Sequence, residues 1–234
     1  MIRKKWGGFL NVIQLGPFLL NFQLIIFIMS TLMGYLALKY RLTKANVEGN
    51  ISEKFITALF IGFLTWKFSL VIFDPVSVIQ YPASLLFFSG GTKGLWLAIV
   101  ISIIFLWMRS RKDGSSILMN LDIMSTGWIV GSSTYHLLLL TLDSPNVLFH
   151  SLYISLMVGL LIILYKNKKA LGNPIVLNQL VIWFSLGMIG IFFAVKERIY
   201  LIFSFSKEQI IFFVIFIIAL LVGNALEKKK VEVI

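Results

Sequence analysis

The chain alternates long apolar runs with short polar breaks, and the runs have the length of membrane crossings. A spanning helix needs ~20 mostly apolar residues, because the hydrocarbon core is ~30 Å thick and each helical residue advances ~1.5 Å. Seven stretches meet this requirement, at about 18–38, 55–73, 84–108, 117–142, 148–165, 177–196 and 208–226. The breaks carry turn chemistry: Asp74-Pro75 with Pro82, Asp113-Gly114, Asp143-Ser144-Pro145 and Gly172-Asn173-Pro174 each oppose a continuing helix. A β-barrel would need alternating segments of ~10 residues, whereas Ile210-Ile211-Phe212-Phe213-Val214-Ile215 is apolar on every face. The pattern predicts an all-α, seven-helix membrane bundle forming one integral membrane domain over residues 1–234, since no break is long enough for a second domain.

Composition agrees. Of 234 residues, 59% are hydrophobic and 13% charged, with a mean hydropathy of +0.93; a soluble domain carries about 25% charged residues. The net charge of +11 therefore points to lipid headgroups and membrane orientation, with no nucleic-acid partner expected. The absence of cysteine excludes thiol catalysis, disulfides and thiolate metal ligands.

Placing the basic residues sets an orientation. With seven spans and the N-terminus outside, the cytoplasmic side receives Lys39, Arg41, Lys44, Lys54, Arg109, Arg111, Lys112, Lys166, Lys168, Lys169, Lys228, Lys229 and Lys230. The outer side receives Arg3, Lys4, Lys5, Lys196, Arg198 and Lys207. Thirteen against six satisfies the positive-inside rule for N-out, C-in. No cleavable signal peptide is expected, because the first apolar run is long and no small-residue cleavage site follows a short one.

Charged side chains at mid-membrane cost ~2.5–3.5 kcal/mol on insertion scales and call for an explanation. Lys67 lies near the outer end of the second span and can snorkel to the headgroups. Lys93 falls nine residues into the third span, within Ser89-Gly90-Gly91-Thr92-Lys93-Gly94, where the glycines allow a break or a close backbone approach. Asp122 begins the fourth span, where the helix dipole favours an acid without need of a partner. That span also carries Ser125, Thr126, Ser132, Ser133, Thr134, Tyr135 and His136. Ser132 and His136, four apart, share a face as a nucleophile and its base would; small hydroxyl residues with Gly127 and Gly131 serve close helix packing equally well. His136 and His150 without a carboxylate partner are a weak metal signal, and neither metal nor cofactor is expected. Gly90-Gly91-x-x-Gly94 does not match phosphate-loop spacing.

The order of these features resembles the prolipoprotein diacylglyceryl transferase family over nearly the whole chain. Leu15-Gly16-Pro17 matches its lead into the first span, Asp74-Pro75 its outer turn, and Ser89-Gly90-Gly91-Thr92-Lys93-Gly94 its histidine-glycine-glycine motif. Arg109 to Lys112 and Asp122 match its basic loop and aspartate. Gly131-Ser132-Ser133-Thr134-Tyr135 falls on its glycine-arginine-x-glycine-asparagine signature, and Ser151-Leu152-Tyr153 on its Gln-Leu-Tyr-Glu element. The segments ending at Arg198 and beginning at Glu208-Gln209 resemble its last two spans.

The resemblance implies a seven-span bundle with a lipid-accessible cavity, in a family that moves the diacylglyceryl group of phosphatidylglycerol onto a lipoprotein cysteine. It does not carry the chemistry over. The motif histidine is Ser89, the signature arginine and asparagine are Ser132 and Tyr135, and the glutamate after Leu-Tyr is Ile154. The first-span tyrosine is Phe22, the second-span arginine Lys67 and the sixth-span arginine Ile191. Phosphodiester transfer needs cations for the phosphate and a base or donor for the nucleophile. Within its spans the chain offers Lys67, Lys93 and His136 but no arginine, and lysine does not reproduce the guanidinium fork.

The sequence thus predicts a multi-pass protein of a bacterial-type cytoplasmic membrane. It is expected to act as a lipid-binding pseudoenzyme or accessory subunit; a divergent active transferase, or another phospholipid-headgroup enzyme, is the alternative. Its catalytic residues are unassigned. The headgroup candidates are Lys67, Lys93, Ser89, Gly90, Gly91, Ser132, Tyr135 and His136, and the expected partners are an anionic phospholipid such as phosphatidylglycerol and a second membrane protein.

Overall fold

The computed structural model describes residues 12–15, 18–45, 51–82, 85, 90–113, 116–141, 146–166, 171–194, 200–202 and 204–232. The fold is predominantly helical. Helices α1 (Phe22–Lys44), α2 (Ile51–Lys67), α3 (Ser69–Phe73), α5 (Gly91–Lys112), α6 (Ile117–Thr141), α7 (Val147–Lys166), α8 (Pro174–Ala194) and α9 (Lys207–Glu232) follow the apolar runs of the sequence, and α4 (Pro75–Gln80) lies in the break between two of them. Among the described residues, five helical segments, Ile25–Lys44, Gly91–Lys112, Val147–Lys166, Pro174–Ala194 and Lys207–Lys228, are long and apolar enough to cross a membrane. The other two predicted spans coincide with helices that fall short of that standard. The second is broken, with α2 stopping at 17 residues. The fourth, α6, has 25 residues but carries the polar group from Asn120 to His136.

Local chemistry fixes several boundaries. Asp74 caps α4, accepting from the Ser77 amide at 3.2 Å and the Ser77 hydroxyl at 2.5 Å, with Pro75 in the first turn. These bonds stabilise the carboxylate and hold the Asp74 carboxyl below its ordinary range. The Asp74-Pro75 turn of the sequence reading is therefore a helix start. Ser206 and Gln209 open α9 as a reciprocal capping pair, the Gln209 amide donating to Ser206 Oγ at 3.3 Å and the Ser206 amide to Gln209 Oε1 at 2.9 Å. At Gly172, φ is +74°, the left-handed turn that precedes α8.

The all-α class holds, and among the described residues two short antiparallel hairpins precede α1 and α9. Val12–Leu15 (β1) pairs with Phe18–Asn21 (β2), and Tyr200–Ile202 (β3) with Phe205–Ser206 (β4). The first span accordingly starts at Phe22 rather than residue 18. Phe18-Leu19-Leu20 is a short apolar run, and periodicity alone does not separate strand from helix at that length. The expected turn at Asp143-Ser144-Pro145 lies outside the described residues.

Helices pack as neighbours in space: α1 on α6, α2 on α5, α6 on α7, α7 on α8 and α8 on α9. One core joins α6, α7 and α8 through Ile129, Met157, Leu160, Leu180 and Met188; a smaller one joins α1, α2 and α6 through Leu38, Leu42, Ile51 and Ile123. Alongside these apolar cores, burial differs from that of a soluble protein. Asp122, Thr126, Ser185 and Gln209 are buried while Phe60, Trp96, Ile103 and Leu221 face outward. Apolar outer surface with polar interior suits a lipid surround, where exposed hydrophobic side chains need no cover.

In lipid, leucine gains nothing by leaving the hydrocarbon, so helices associate through close van der Waals approach and polar ties. The α1–α6 contact has both. Gly34 of α1 faces Gly127 and Gly131 of α6 so closely that a Cβ at Gly34 would lie 2.5 Å from the Gly127 carbonyl oxygen. Ser30 completes the small-residue seam, its carbonyl oxygen 3.1 Å from where a Gly131 Cβ would stand. Gly159 provides an internal contrast, since a Cβ there meets nothing within 4 Å. Gly34→Ala is expected to destabilise the fold by ~1–3 kcal/mol through overpacking. Gly159→Ala should be neutral or stabilising by up to ~1 kcal/mol through helix propensity. Unfolding titrations of both variants in mixed micelles check this, and equal responses would contradict a tight crossing.

Candidate functional site

Three polar centres occupy the bundle, each built where two helices meet. The first lies where α1 ends and α6 begins. Arg41 Nη2 pairs with Asp122 Oδ1 at 2.5 Å and Arg41 Nη1 donates to Thr126 Oγ1 at 2.5 Å. The second carboxylate oxygen of Asp122 accepts from the Gly172 amide at 2.8 Å, which ties in the turn before α8. The two side chains are only 11% and 2% exposed, and the Tyr165 ring of α7 lies 5.9 Å from the guanidinium. Asp122 therefore has a partner, contrary to its reading as an acid satisfied by the helix dipole. The bundle also holds an arginine, Arg41, where the sequence alone predicts an orientation charge on the cytoplasmic side. Beside it, Asn120 Nδ2 donates to Ser110 Oγ at 2.7 Å, and buried Lys54 pairs with Asp113 at 3.0 Å. The Lys54 bond holds the Asp113 carboxyl, at the end of α5, below its ordinary range.

The second centre joins α6 to α7. His136 Nδ1 and His150 Nδ1 stand 2.6 Å apart, so one imidazole donates its proton and the other accepts. The Tyr153 ring stacks on His136 at 3.9 Å between centroids, Tyr135 meets it edge-on at 5.6 Å, and Phe149 closes a further side at 5.7 Å. Ser132 hydrogen-bonds with Tyr153 across the helices and donates to the Ile129 carbonyl at 3.2 Å on its own helix. The i, i+4 spacing thus brings Ser132 and His136 to one aromatic cluster, where the partner of the hydroxyl is Tyr153 and that of the imidazole is His150. Among the described residues no group of three or more histidine or acidic side chains is placed to hold a metal ion.

The third centre is the glycine seat between α2 and α5. A Cβ at Gly90 would collide with the Trp66 carbonyl, and one at Gly94 with the Ser69 hydroxyl. Ser69 Oγ lies 2.9 Å from the Trp66 carbonyl oxygen and 3.4 Å from that of Gly90, bridging the break between α2 and α3 to the start of α5. Gly91, at φ +58°, opens α5 in a conformation that favours glycine. Consequently Lys93 is the third residue of α5 and exposed, rather than nine residues inside a span, and half-buried Lys67 is the last residue of α2. Ser89 lies outside the described residues. Of the eight headgroup candidates, Lys67, Gly90, Gly91 and Lys93 thus gather at the α2–α5 pair, and Ser132, Tyr135 and His136 at the α6–α7 pair.

The signal for the Arg41–Asp122 pair was present as two patterns. Ser30, Gly34, Leu38 and Arg41 descend α1 as Gly131, Gly127, Ile123 and Asp122 ascend α6. Aligning the small residues of the two helices antiparallel brings the arginine to the acid. Removing one partner of a buried pair leaves an uncompensated charge, so Asp122→Asn is expected to cost ~3–5 kcal/mol. The double replacement Arg41→Met with Asp122→Leu should recover most of that loss, measured by unfolding in mixed micelles as a double-mutant cycle. Comparison with protein-family models, curated proteins and solved structures finds no match to the chain.

Proposed function

We propose that the chain is a seven-span protein of the cytoplasmic membrane, N-terminus outside and C-terminus inside. In this reading it is built like the prolipoprotein diacylglyceryl transferases and serves as a non-catalytic, phospholipid-binding accessory subunit. The broken α2–α3 segment supplies the second span and polar α6 the fourth. The orientation is supported by the basic residues, thirteen on one face against six on the other. The observation that carries the functional reading is the use made of the interior polar groups. Where phosphodiester transfer needs free cations and a poised base, Arg41 is committed to Asp122 and Thr126, His136 to His150, and Ser132 to Tyr153. These groups tie helices together. The expected outcome is failure to complement: expressed in a strain depleted of the authentic transferase, the chain should not restore lipoprotein maturation, judged by the electrophoretic shift of precursor to mature lipoprotein. Robust restoration would overturn the proposal.

A second reading, a divergent phospholipid-headgroup enzyme, is favoured by the His136–His150 pair, because one shared proton between two imidazoles beside two phenols is a ready donor and acceptor. Under it, His136→Ala and His150→Ala should each lower turnover of a phosphatidylglycerol substrate at least ~100-fold, the scale of general acid–base assistance. Under the accessory reading, the same variants alter stability alone.

A further inference from the structure

Where α1 and α7 end side by side, a cavity of about 160 Å3 opens between Arg41, Lys44, Ala45, Leu164, Tyr165 and Leu171. The lining combines Arg41, whose charge Asp122 balances from outside the cavity, with Lys44, a phenol and an apolar wall, and among the described residues it contains no carboxylate. We propose that this cavity binds a phosphate-bearing anion, either the headgroup of an anionic phospholipid or a free phosphate group.

Four observations carry the assignment. Among the described residues, the contacts of Arg41 with Asp122 and Thr126 use one N–H on each terminal nitrogen, so the pairing that commits the guanidinium as a helix tie also fixes the orientation in which its remaining N–H bonds line the cavity beside the Tyr165 ring. Orientation in advance removes much of the ordering cost of binding. Lys44 is exposed, stacks 5.6 Å from the Tyr40 ring and makes no ion pair among the described residues, so it brings the uncompensated positive charge. The cavity is well below the ~300–1,000 Å3 of a drug-sized pocket, which suits a headgroup rather than a whole lipid. Finally, Ile28, Leu32, Leu36 and Tyr40 form an exposed stripe at i, i+4 spacing that runs along α1 to Lys44. An acyl chain lying on that stripe delivers its phosphate to the cavity, because both helices are of spanning length and end there. The site is separate from Lys67, Lys93 and the α6–α7 cluster, so its failure would leave the transferase-like reading standing.

The test uses the full chain in detergent micelles with equimolar phosphatidylglycerol and phosphatidylcholine, the bound lipid being read by native mass spectrometry. Phosphatidylglycerol should predominate, and Lys44→Gln should lower that preference about fivefold, the effect of one lysine at a membrane surface. Lys44 is exposed, so the variant keeps the fold. Tyr165→Leu, which removes the ring beneath the guanidinium, should weaken binding further, whereas Lys228→Gln on α9, with the same loss of charge, should not. Displacement of the lipid by millimolar inorganic phosphate would assign the site to a free phosphate; retention would assign it to the lipid headgroup. Three results would overturn the proposal: no preference for phosphatidylglycerol together with no phosphate binding, an unchanged preference in Lys44→Gln, or an equal loss in Lys228→Gln.

Discussion

The crossing of α1 over α6 is the contact on which the arrangement of the other helices depends. In a medium as apolar as the side chains themselves, packing must come from atoms that approach more closely than lipid allows and from polar groups that lipid cannot satisfy. At this crossing the glycines of both helices remove the bulk that would hold the backbones apart, and the Arg41–Asp122 pair closes the contact at its basic end. Through Gly172 the same carboxylate reaches the turn before α8, so one acid helps to set three elements. The glycine seam and the ion pair depend on each other: a guanidinium and a carboxylate on separate helices meet at bonding distance only if the backbones between them are already close.

The helices were legible in the sequence because their signal is additive: twenty apolar residues between turn formers leave little choice of structure. The small-residue role of Gly127 and Gly131 was legible for a similar reason, since glycine four residues apart on an apolar helix has few other uses. What the sequence reading missed was pairwise. Asp122 read alone is a satisfied helix start, and Arg41 read alone is an orientation charge; only their apposition makes a buried pair. Lys93 was misplaced in depth because the break at Gly90 and Gly91 moves the start of α5, and a glycine pair announces a break without saying on which side the helix resumes. The two hairpins were missed because strands of two to four residues look like the edges of the helices they adjoin.

The polar interior of this bundle follows one pattern, from which the buried Ser185 hydroxyl, without a hydrogen-bond partner among the described residues, departs. Its hydroxyls bond back to their own helix, as Ser30 does to the Ile26 carbonyl at 2.7 Å, or across to a neighbour, as Ser102 does to the Ala58 carbonyl at 3.1 Å. Asn178 reaches the Ala219 carbonyl at 3.0 Å, joining α8 to α9, and Gln209 reaches that of Ile189 at 3.3 Å. Such bonds are individually modest, ~0.6 kcal/mol on average inside membranes. Their value here is directional, because each ties one helix to a chosen height on the next. The basic end is the better furnished with charge and the His136 end with aromatic rings, so the two ends of α6 present different environments.

The Arg41–Asp122 pair also bears on how the protein is made. Arg41 and its partner Thr126 are separated by 85 residues. At a synthesis rate of ~5–20 residues per second, α1 emerges and enters the bilayer several seconds before α6 exists. During that interval the guanidinium has no acid to meet, and its place in the last turn of α1 lets it reach upward to the headgroups while the helix waits. Once α6 is present, Asp122 and Thr126 supply the acid and the hydroxyl that the guanidinium meets in the folded chain. The place of Arg41 in the last turn of α1 is thus compatible with both stages, close to the helix end before α6 is made and beside Asp122 afterwards.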